Sequence, residues 1–374
     1  MAAPRFFRRS MRVFKVATMA ATALLTPGCA VIHDLATDPE EKAPSLVGRH
    51  ISELEAVTSI HLHRGRLLVA LTDGFERPYS LAGIAVVDTA TDTVISHYNP
   101  FGDQWQVPQA VASFRDNLLF AVSHEGRARV ADTTGVWNDI QPTYPWNSGQ
   151  PELTMSGDRA YLTDRFDGRL FSVSGTLASP AFQVDALRPL RAVAVTQNTL
   201  YALREYSRKL YRVTGTTVDS VDLTGLSGKP GLKCSPDLVV AHGNRVFITL
   251  SVTDSLNVAD TTLVAVIDAA TLATDTILKL KYPYHSASSG YMFTPTIVNG
   301  KLYLTRRLPP PQVGSGVEVL DLDDLSNRGV AITHEETGGQ IHDFLPAGPG
   351  KAYTLQSPLQ NSSWSSHGVR RVAY

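Results

Sequence analysis

Three carboxylates carry the most specific chemical suggestion in the chain. Glu152, Asp237 and Asp343 each lie shortly before a turn residue, at Asp158, Asn244 and Gly350 respectively. Carboxylates delivered by three separate segments could converge on a calcium-like divalent cation, which takes about six to eight oxygen ligands. The spacing divides them. Asp237 and Asp343 stand seven residues before their turns and Glu152 six, and strand side chains alternate, so Glu152 faces elsewhere unless a turn differs in length. His61 and His63 lie two apart, on one face of a strand, with no evident third ligand. Gly225 to Pro230 (GLSGKP) lacks the Ser/Thr and spacing of a phosphate loop, and no Gly-x-Ser-x-Gly elbow occurs. The run Asp321, Asp323, Asp324 is spaced as a strand end and turn, not as a calcium loop.

The elements that must hold these residues repeat. A turn residue, a variable position, an aliphatic residue and a large apolar one recur as Gly65-Arg66-Leu67-Leu68, Asp116-Asn117-Leu118-Leu119, Asp158-Arg159-Ala160-Tyr161 and Asn198-Thr199-Leu200-Tyr201. They return as Asn244-Arg245-Val246-Phe247, Gly300-Lys301-Leu302-Tyr303 and Gly350-Lys351-Ala352-Tyr353, at intervals of 40–56 residues. An apolar run precedes each turn, and an alternating strand such as Val264-Ala265-Val266-Ile267-Asp268 or Val317-Glu318-Val319-Leu320-Asp321 follows it. No stretch keeps the spacing of an amphipathic helix. Four antiparallel strands at this period make a propeller blade, which cannot cover either apolar face alone and so stacks on its neighbours. The expected architecture is all-β: a seven-bladed β-propeller of four-stranded antiparallel blades over residues 46–374. The chain ends in a third strand, Gly368 to Tyr374, so Leu46 to Ile51 are expected to supply the missing fourth by pairing with it, which removes an exposed edge.

In this architecture Gln109, Glu152, Arg191, Asp237, His342 and Asp343 sit near the starts of inner strands and line a central channel. Long loops and blade connections gather on one rim and carry Trp105, Tyr144, Trp146, Tyr284, Tyr291 and Trp364. Clustered exposed aromatics mark a protein or glycan surface; rings packed under their own loops are the structural alternative.

Composition narrows the functions. A formal charge of −1 over 374 residues, with no basic run beyond the first fifteen, leaves no electrostatic footprint for nucleic acid. Two cysteines exclude a disulfide scaffold and a thiolate zinc ribbon. Residues 1–28 read as a targeting segment. Arg5, Arg8, Arg9, Arg12 and Lys15 form a cationic start, and Val16 to Leu25 are an apolar run too short to span a bilayer. Its removal takes five of the 34 basic residues and none of the 35 acids, which leaves a net charge of about −6. Residues 29–45 read as a tether.

Two resemblances follow from these motifs. Leu24-Leu25-Thr26-Pro27-Gly28-Cys29 resembles a bacterial lipoprotein signal, which implies acylation of Cys29. Thr26 stands where such signals usually carry Leu, and a plain secretory signal or an uncleaved anchor stays open on the same residues. Ala30 after the cysteine resembles the outer-membrane sorting signal, which implies an outer-membrane lipoprotein of the cell envelope held by lipid alone. Pro, an apolar run, Gly300-Lys301-Leu302-Tyr303-Leu304 and Val317-x-Val319-Leu320-Asp321 resemble the repeats of YncE/YVTN-type and PQQ-repeat-like bacterial propellers. Four Trp, none at a repeated place, depart from the docking motif of the quinone enzymes of that superfamily, so no quinone cofactor is expected. The resemblance to outer-membrane propeller lipoproteins implies a non-catalytic scaffold or binding protein for an envelope protein or glycan. The three carboxylates resemble those of propeller lactonases, which implies a metal-dependent hydrolase as the alternative.

Overall fold

The computed structural model describes residues 46–72, 82–100, 108–114, 118–123, 128–131, 137–142, 151–156, 159–164, 168–174, 177–183, 187–196, 198–229, 231–253, 259–281, 295–307, 315–358 and 367–374. Cys29 and the rest of residues 1–45, expected above to be a targeting segment and tether, lie outside them. Within them every sheet is built of antiparallel hairpins in chain order from inside to outside, with one short parallel strand added to the third.

The first blade is Val57–His63, Arg66–Leu71, Gly83–Asp88 and Thr93–Tyr98. The second is Pro108–Phe114, Leu118–Ser123, Ala128–Ala131 and Trp137–Asp139. The third is Pro151–Ser156, Arg159–Asp164, Arg169–Ser174 and Leu177–Gln183, to which Gln141–Pro142 adds a short parallel fifth strand. The fourth is Leu190–Thr196, Thr199–Arg204, Lys209–Thr214 and Thr217–Asp222. The fifth is Lys233–His242, Arg245–Thr253, Ala259–Asp268 and Thr274–Lys279. The sixth is Thr296–Val298, Lys301–Arg307, Ser315–Asp321 and Ser326–Thr333. The C-terminal sheet has three strands: Gln340–Gly348, Lys351–Ser357 and Gly368–Val372.

Burial explains which strands read as continuous apolar runs. Second and third strands are covered on both faces by adjoining sheets, so Arg66–Leu71 and Gly83–Asp88 are buried along nearly their whole length. Outer strands such as Thr217–Asp222 and Thr274–Lys279 are mostly exposed. Adjacent sheets meet through separate apolar clusters. Tyr201, Leu203 and Leu210 of the fourth blade pack on Val246, Ile248 and Leu250 of the fifth, with Cys234 buried among them. Tyr353, Leu355 and Val369 of the C-terminal sheet pack on Ile60, Leu67 and Val69 of the first. The large residue of the repeated column is buried wherever its side chain is described, at Leu68, Tyr161, Tyr201, Phe247, Tyr303 and Tyr353. A buried ring of this size removes roughly 150–250 Å² from water.

Two tyrosines of that column also bond across the interface. Tyr201 donates its hydroxyl to the Ala269 carbonyl at 2.9 Å, and Tyr353 to the Thr89 carbonyl at 3.3 Å. Both acceptors begin the turn between the third and fourth strands of the next sheet. The aspartate that ends the third strand shapes this turn. Asp268 Oδ1 accepts from Thr271 N–H at 2.7 Å, Asp88 Oδ1 from Ala90 N–H at 2.8 Å and Asp321 Oδ1 from Asp323 N–H at 3.1 Å. Asp321, Asp323 and Asp324 are therefore a strand end and turn.

The expectation of seven four-stranded blades and a strand-paired closure is corrected. Six blades have four strands, the last sheet has three, and Leu46 to Ile51 do not complete it. That segment follows the outer strand of the first blade: Gly48 donates to the Val94 carbonyl at 2.8 Å and Val94 to the Arg49 carbonyl at 2.9 Å. The reason is local. His50 caps a single 3₁₀ turn, Ile51–Glu53, accepting from Ser52 N–H at 3.2 Å, while Glu53 accepts from the His50 N–H at 3.3 Å. A capped turn cannot continue as a strand. Leu46, Ile51 and Leu54 instead enter the apolar cluster between the first blade and the C-terminal sheet, where the chain makes one isolated bridge to the last strand, Glu55 with Gly368.

Candidate functional site

The starts of the inner strands share a backbone device. In the first blade Val57 pairs with Leu71 and Ser59 with Ala70, which leaves Thr58 as the extra residue of a β-bulge. The same shift singles out Gln109 in the second blade, Arg191 in the fourth, Asp237 in the fifth and His342 in the C-terminal sheet. Counted from the hairpin turn, Thr58, Arg191, Asp237 and His342 hold one position, and Gln109 lies one pair farther out. A bulge re-aims its extra side chain out of the regular alternation. The third and sixth blades show no such shift in their inner pairs.

Two of the expected channel residues meet. Arg191 donates to Asp237 Oδ1 across the junction of the fourth and fifth blades, and Ser251 donates its hydroxyl to Asp237 Oδ2. The Asp237 side chain is 1% exposed and that of Arg191 28%. His342 repeats the arrangement, sharing a 2.7 Å hydrogen bond between Nε2 and Ser357 Oγ. Its ring stacks on His367 with centroids 4.5 Å apart and planes 25° apart. Ser251 and Ser357 were not anticipated. Both stand seven residues past their turn residue, as Ser123 does and as Thr72 does in hydroxyl form, and that spacing was available in the sequence.

Asp343 falls one step away. A second bulge, between Pro346 and Gly348, adds a residue to its strand, so Asp343 pairs with Leu355 just as Leu238 pairs with Thr249. Counting to the turn therefore sets Asp343 beside Asp237 when its register partner is Glu152, which pairs with Thr163. The side chains of Glu152 and Gln109 lie outside the described residues, as do Trp105, Tyr144, Trp146, Tyr284, Tyr291 and Trp364. Among the described residues no group of three or more His, Cys, Asp or Glu is placed to hold a metal ion, and Asp237 already has its charge directed at Arg191.

Burial sets the protonation of this end of the molecule. It holds the His367 ring down at about 4, against a backbone hydrogen bond to Val57 that acts the other way. His61 is also held at about 4, by burial first and then by the neighbouring His63. Both rings are uncharged at neutral pH. Burial pushes the Asp343 carboxyl up to about 7, although its Oδ1 accepts from Phe344 N–H at 2.8 Å. The sign follows directly: an acid whose folded pKa is raised destabilises the fold fully above pH 7, and the penalty fades as pH falls toward its ordinary value near 3.8. Asp343→Asn, which keeps the acceptor for Phe344, is expected to raise the melting midpoint at pH 8, with the gain gone by about pH 4. A gain of equal size at both pH values would assign the effect to packing.

One backbone position carries a hydroxyl, a cation, an anion and an imidazole in different sheets; Arg191 and Asp237 are paired with each other, and Asp237 and His342 are buried.

No protein-family model matches the chain, and no curated protein matches it. Solved structures do. The structure described as "YCF48 bound to D1 peptide" aligns with a TM-score of 0.56 at 11% identity, over 87% of this chain and 96% of that one. Virginiamycin B lyase from Staphylococcus aureus aligns with a TM-score of 0.53 at 8% identity, over 87% and 98%. Kuenenia stuttgartiensis hydrazine synthase aligns with a TM-score of 0.55 at 16% identity, over 88% and 99%. At such identities the likeness is one of fold, and it agrees with the sheet order: this chain is a β-propeller.

Proposed function

We propose that the chain is a non-catalytic propeller of the bacterial cell envelope, anchored through acylated Cys29, that binds a protein or glycan partner at the end where its inner strands begin. The observation that carries this reading is the bulge position itself. Thr58, Arg191, Asp237 and His342 carry unlike groups on separate sheets, and the pair among them that meets, Arg191 with Asp237, is an ion pair closed on itself. The blade connections that bear Trp146 and the loop that bears Trp364 belong, by chain order, to the same end. Among its fold neighbours one propeller is described as bound to a peptide and others are named as enzymes, so a protein partner is compatible with the fold without being selected by it. Within the propellers we group it with the YncE/YVTN-type and PQQ-repeat-like bacterial propellers, on Gly300 to Leu304 and Val317 to Asp321.

Affinity at such surfaces rests on a few aromatic anchors. The double variant Trp146→Ala/Trp364→Ala is expected to abolish capture of the partner from detergent-solubilised membranes while leaving the melting midpoint unchanged. Capture at the wild-type level would refute the rim as the binding surface.

A further inference from the structure

The fourth blade ends in a group of cations at that same end. Register places Leu190, Arg204, Lys209 and Asp222 together there, since Leu190 pairs with Arg204 and Lys209 with Asp222. Arg204, Arg208 and Lys209 are exposed around a short hairpin connection, Glu205 to Arg208, with Arg188 half-buried beside them, its carbonyl accepting from Arg204 Nε at 2.8 Å. The chain continues from Asp222 through a 3₁₀ turn, Thr224–Ser227, to exposed Lys229 and half-buried Lys233. Among the described residues of this blade the acids at this end are Glu205 and Asp222, and Asp222 already accepts from Thr224 N–H at 2.7 Å. A local excess of positive charge thus stands on a chain whose mature part is acidic overall.

At the tip of the connection is Tyr206, 93% exposed, the most exposed large apolar side chain among the described residues. The loop holds it in place: Ser207 Oγ lies 3.1 Å from the Tyr211 hydroxyl and accepts from Lys209 N–H at 3.3 Å, while Glu205 N–H donates to the Pro189 carbonyl at 2.9 Å. A ring presented on a pinned loop costs less to immobilise on binding than one on a loose loop.

We propose that this surface docks an acidic peptide segment of the partner, with Tyr206 as the apolar anchor and Arg204, Arg208, Lys209 and Lys229 addressing its carboxylates. The proposal rests on the binding role above and names the chemistry of what is bound. The groups flanking Tyr206 are chiefly donors. Carboxylates accept only, and Arg presents a fork that matches them in pairs. Sugar hydroxyls must also donate, and this surface gives them few side-chain acceptors.

The test is fluorescence anisotropy of a labelled decaglutamate peptide with the purified full-length chain. The peptide is expected to bind at low salt and to weaken about tenfold or more at roughly 0.5 M salt, where screening falls to a few ångströms. Arg208→Glu/Lys209→Glu is expected to weaken it by at least ~10-fold, through about 1.4 kcal/mol for each factor of ten. The neutral pair Arg208→Gln/Lys209→Gln should give a smaller loss in the same direction, should charge reversal disturb folding. Lys301→Glu, an exposed site beside the hairpin turn of another blade, should leave binding unchanged. Absence of peptide binding, binding indifferent to the Arg208 and Lys209 variants, or competition by polygalacturonate at lower concentration than by unlabelled peptide would each overturn the proposal. Its failure is separable from failure of the rim. The peptide has no aromatic side chain, and competition by the unlabelled peptide reads the cations without the dye, whereas membrane capture by the Trp146/Trp364 variant reads the rim.

Discussion

Arg191→Ala is expected to lower stability by about 3 kcal/mol, because it removes the Arg191 guanidinium from the buried Asp237 carboxylate. Asp237 is 4% exposed as a residue, and the neutral Ser251 hydroxyl does not replace a guanidinium. Removing one member of a buried pair costs far more than the pair contributes, since the stranded charge has lost its water as well. In a chain of this size that loss should move the melting midpoint by roughly 6 °C or somewhat more. Asp237→Asn in the same background is expected to return much of it, since an amide still accepts from Ser251 and carries no charge to strand. A double-mutant cycle then isolates the coupling. An Arg191→Ala cost under about 0.5 kcal/mol would show that water reaches the carboxylate and that the pair behaves as a surface one. The result also bears on the cation reading of Asp237, for a carboxylate that needs Arg191 to remain buried is not available as a hard-cation ligand.

The blades were legible because their signals are local. A turn residue followed by an aliphatic and a large apolar residue fixes a hairpin and its buried pair, and the column from Gly65 to Gly350 finds six four-stranded blades and the last sheet. Asp88, Asp268 and Asp321 were likewise readable as strand ends, since an aspartate side chain that accepts a backbone N–H two or three residues on closes a turn. The bulges were not legible. Adding one residue reverses the facing of everything beyond it, and the bulged positions are occupied by Thr, Gln, Arg, Asp and His, which share no chemistry. The second bulge after Pro346 put Asp343 out of step by one and made a seven-residue count agree for the wrong reason. The closing strand failed differently. Leu46 to Ile51 has the right place in the chain, but His50, Ser52 and Glu53 form a capping box that the reading for strands passed over. Tyr206 and its cations lie on a four-residue hairpin loop between strands, too short to carry the aromatic signal of the long loops.

Asp92→Ala is expected to cost about 2–3 kcal/mol, the worth of a buried carboxylate with two strong hydrogen bonds, and to open the junction of the first blade with the C-terminal sheet before the rest. Asp92 closes the outer turn of the first blade in the left-handed region, φ 57°, where Leu272 and Leu325 stand in the corresponding turns of the fifth and sixth. Its carboxylate accepts from the Tyr353 hydroxyl at 2.5 Å and from Arg371 Nη1 at 2.9 Å, with Lys351 Nζ at 3.5 Å. Its carbonyl accepts from Ile51 N–H at 2.9 Å, so the same residue also holds the N-terminal segment. Where a fourth strand was expected to join the sheets, a charged knot does so. Burial alone would raise the Asp92 pKa, but the bonds from Tyr353 and Arg371 and the charge of Lys351 outweigh it and hold the carboxyl below its ordinary value. A depressed carboxylate lends stability that is complete above its unfolded pKa of 3.8 and is lost as pH falls through the folded value. The junction should therefore loosen in acid below about pH 4, and in Asp92→Ala it should be loose already at neutral pH. Hydrogen exchange reads this directly. Amides of Ile51 and of Val57, which bonds the His367 carbonyl at 3.1 Å, should exchange faster in the variant than those of the fourth and fifth blades. Tyr353→Phe should show the same pattern at about half the cost, since it removes the hydroxyl and leaves Arg371 in place. Unchanged protection at Ile51 and Val57 in both variants would mean that the apolar packing of Leu46, Ile51, Leu54 and Tyr353 holds the junction without the charges.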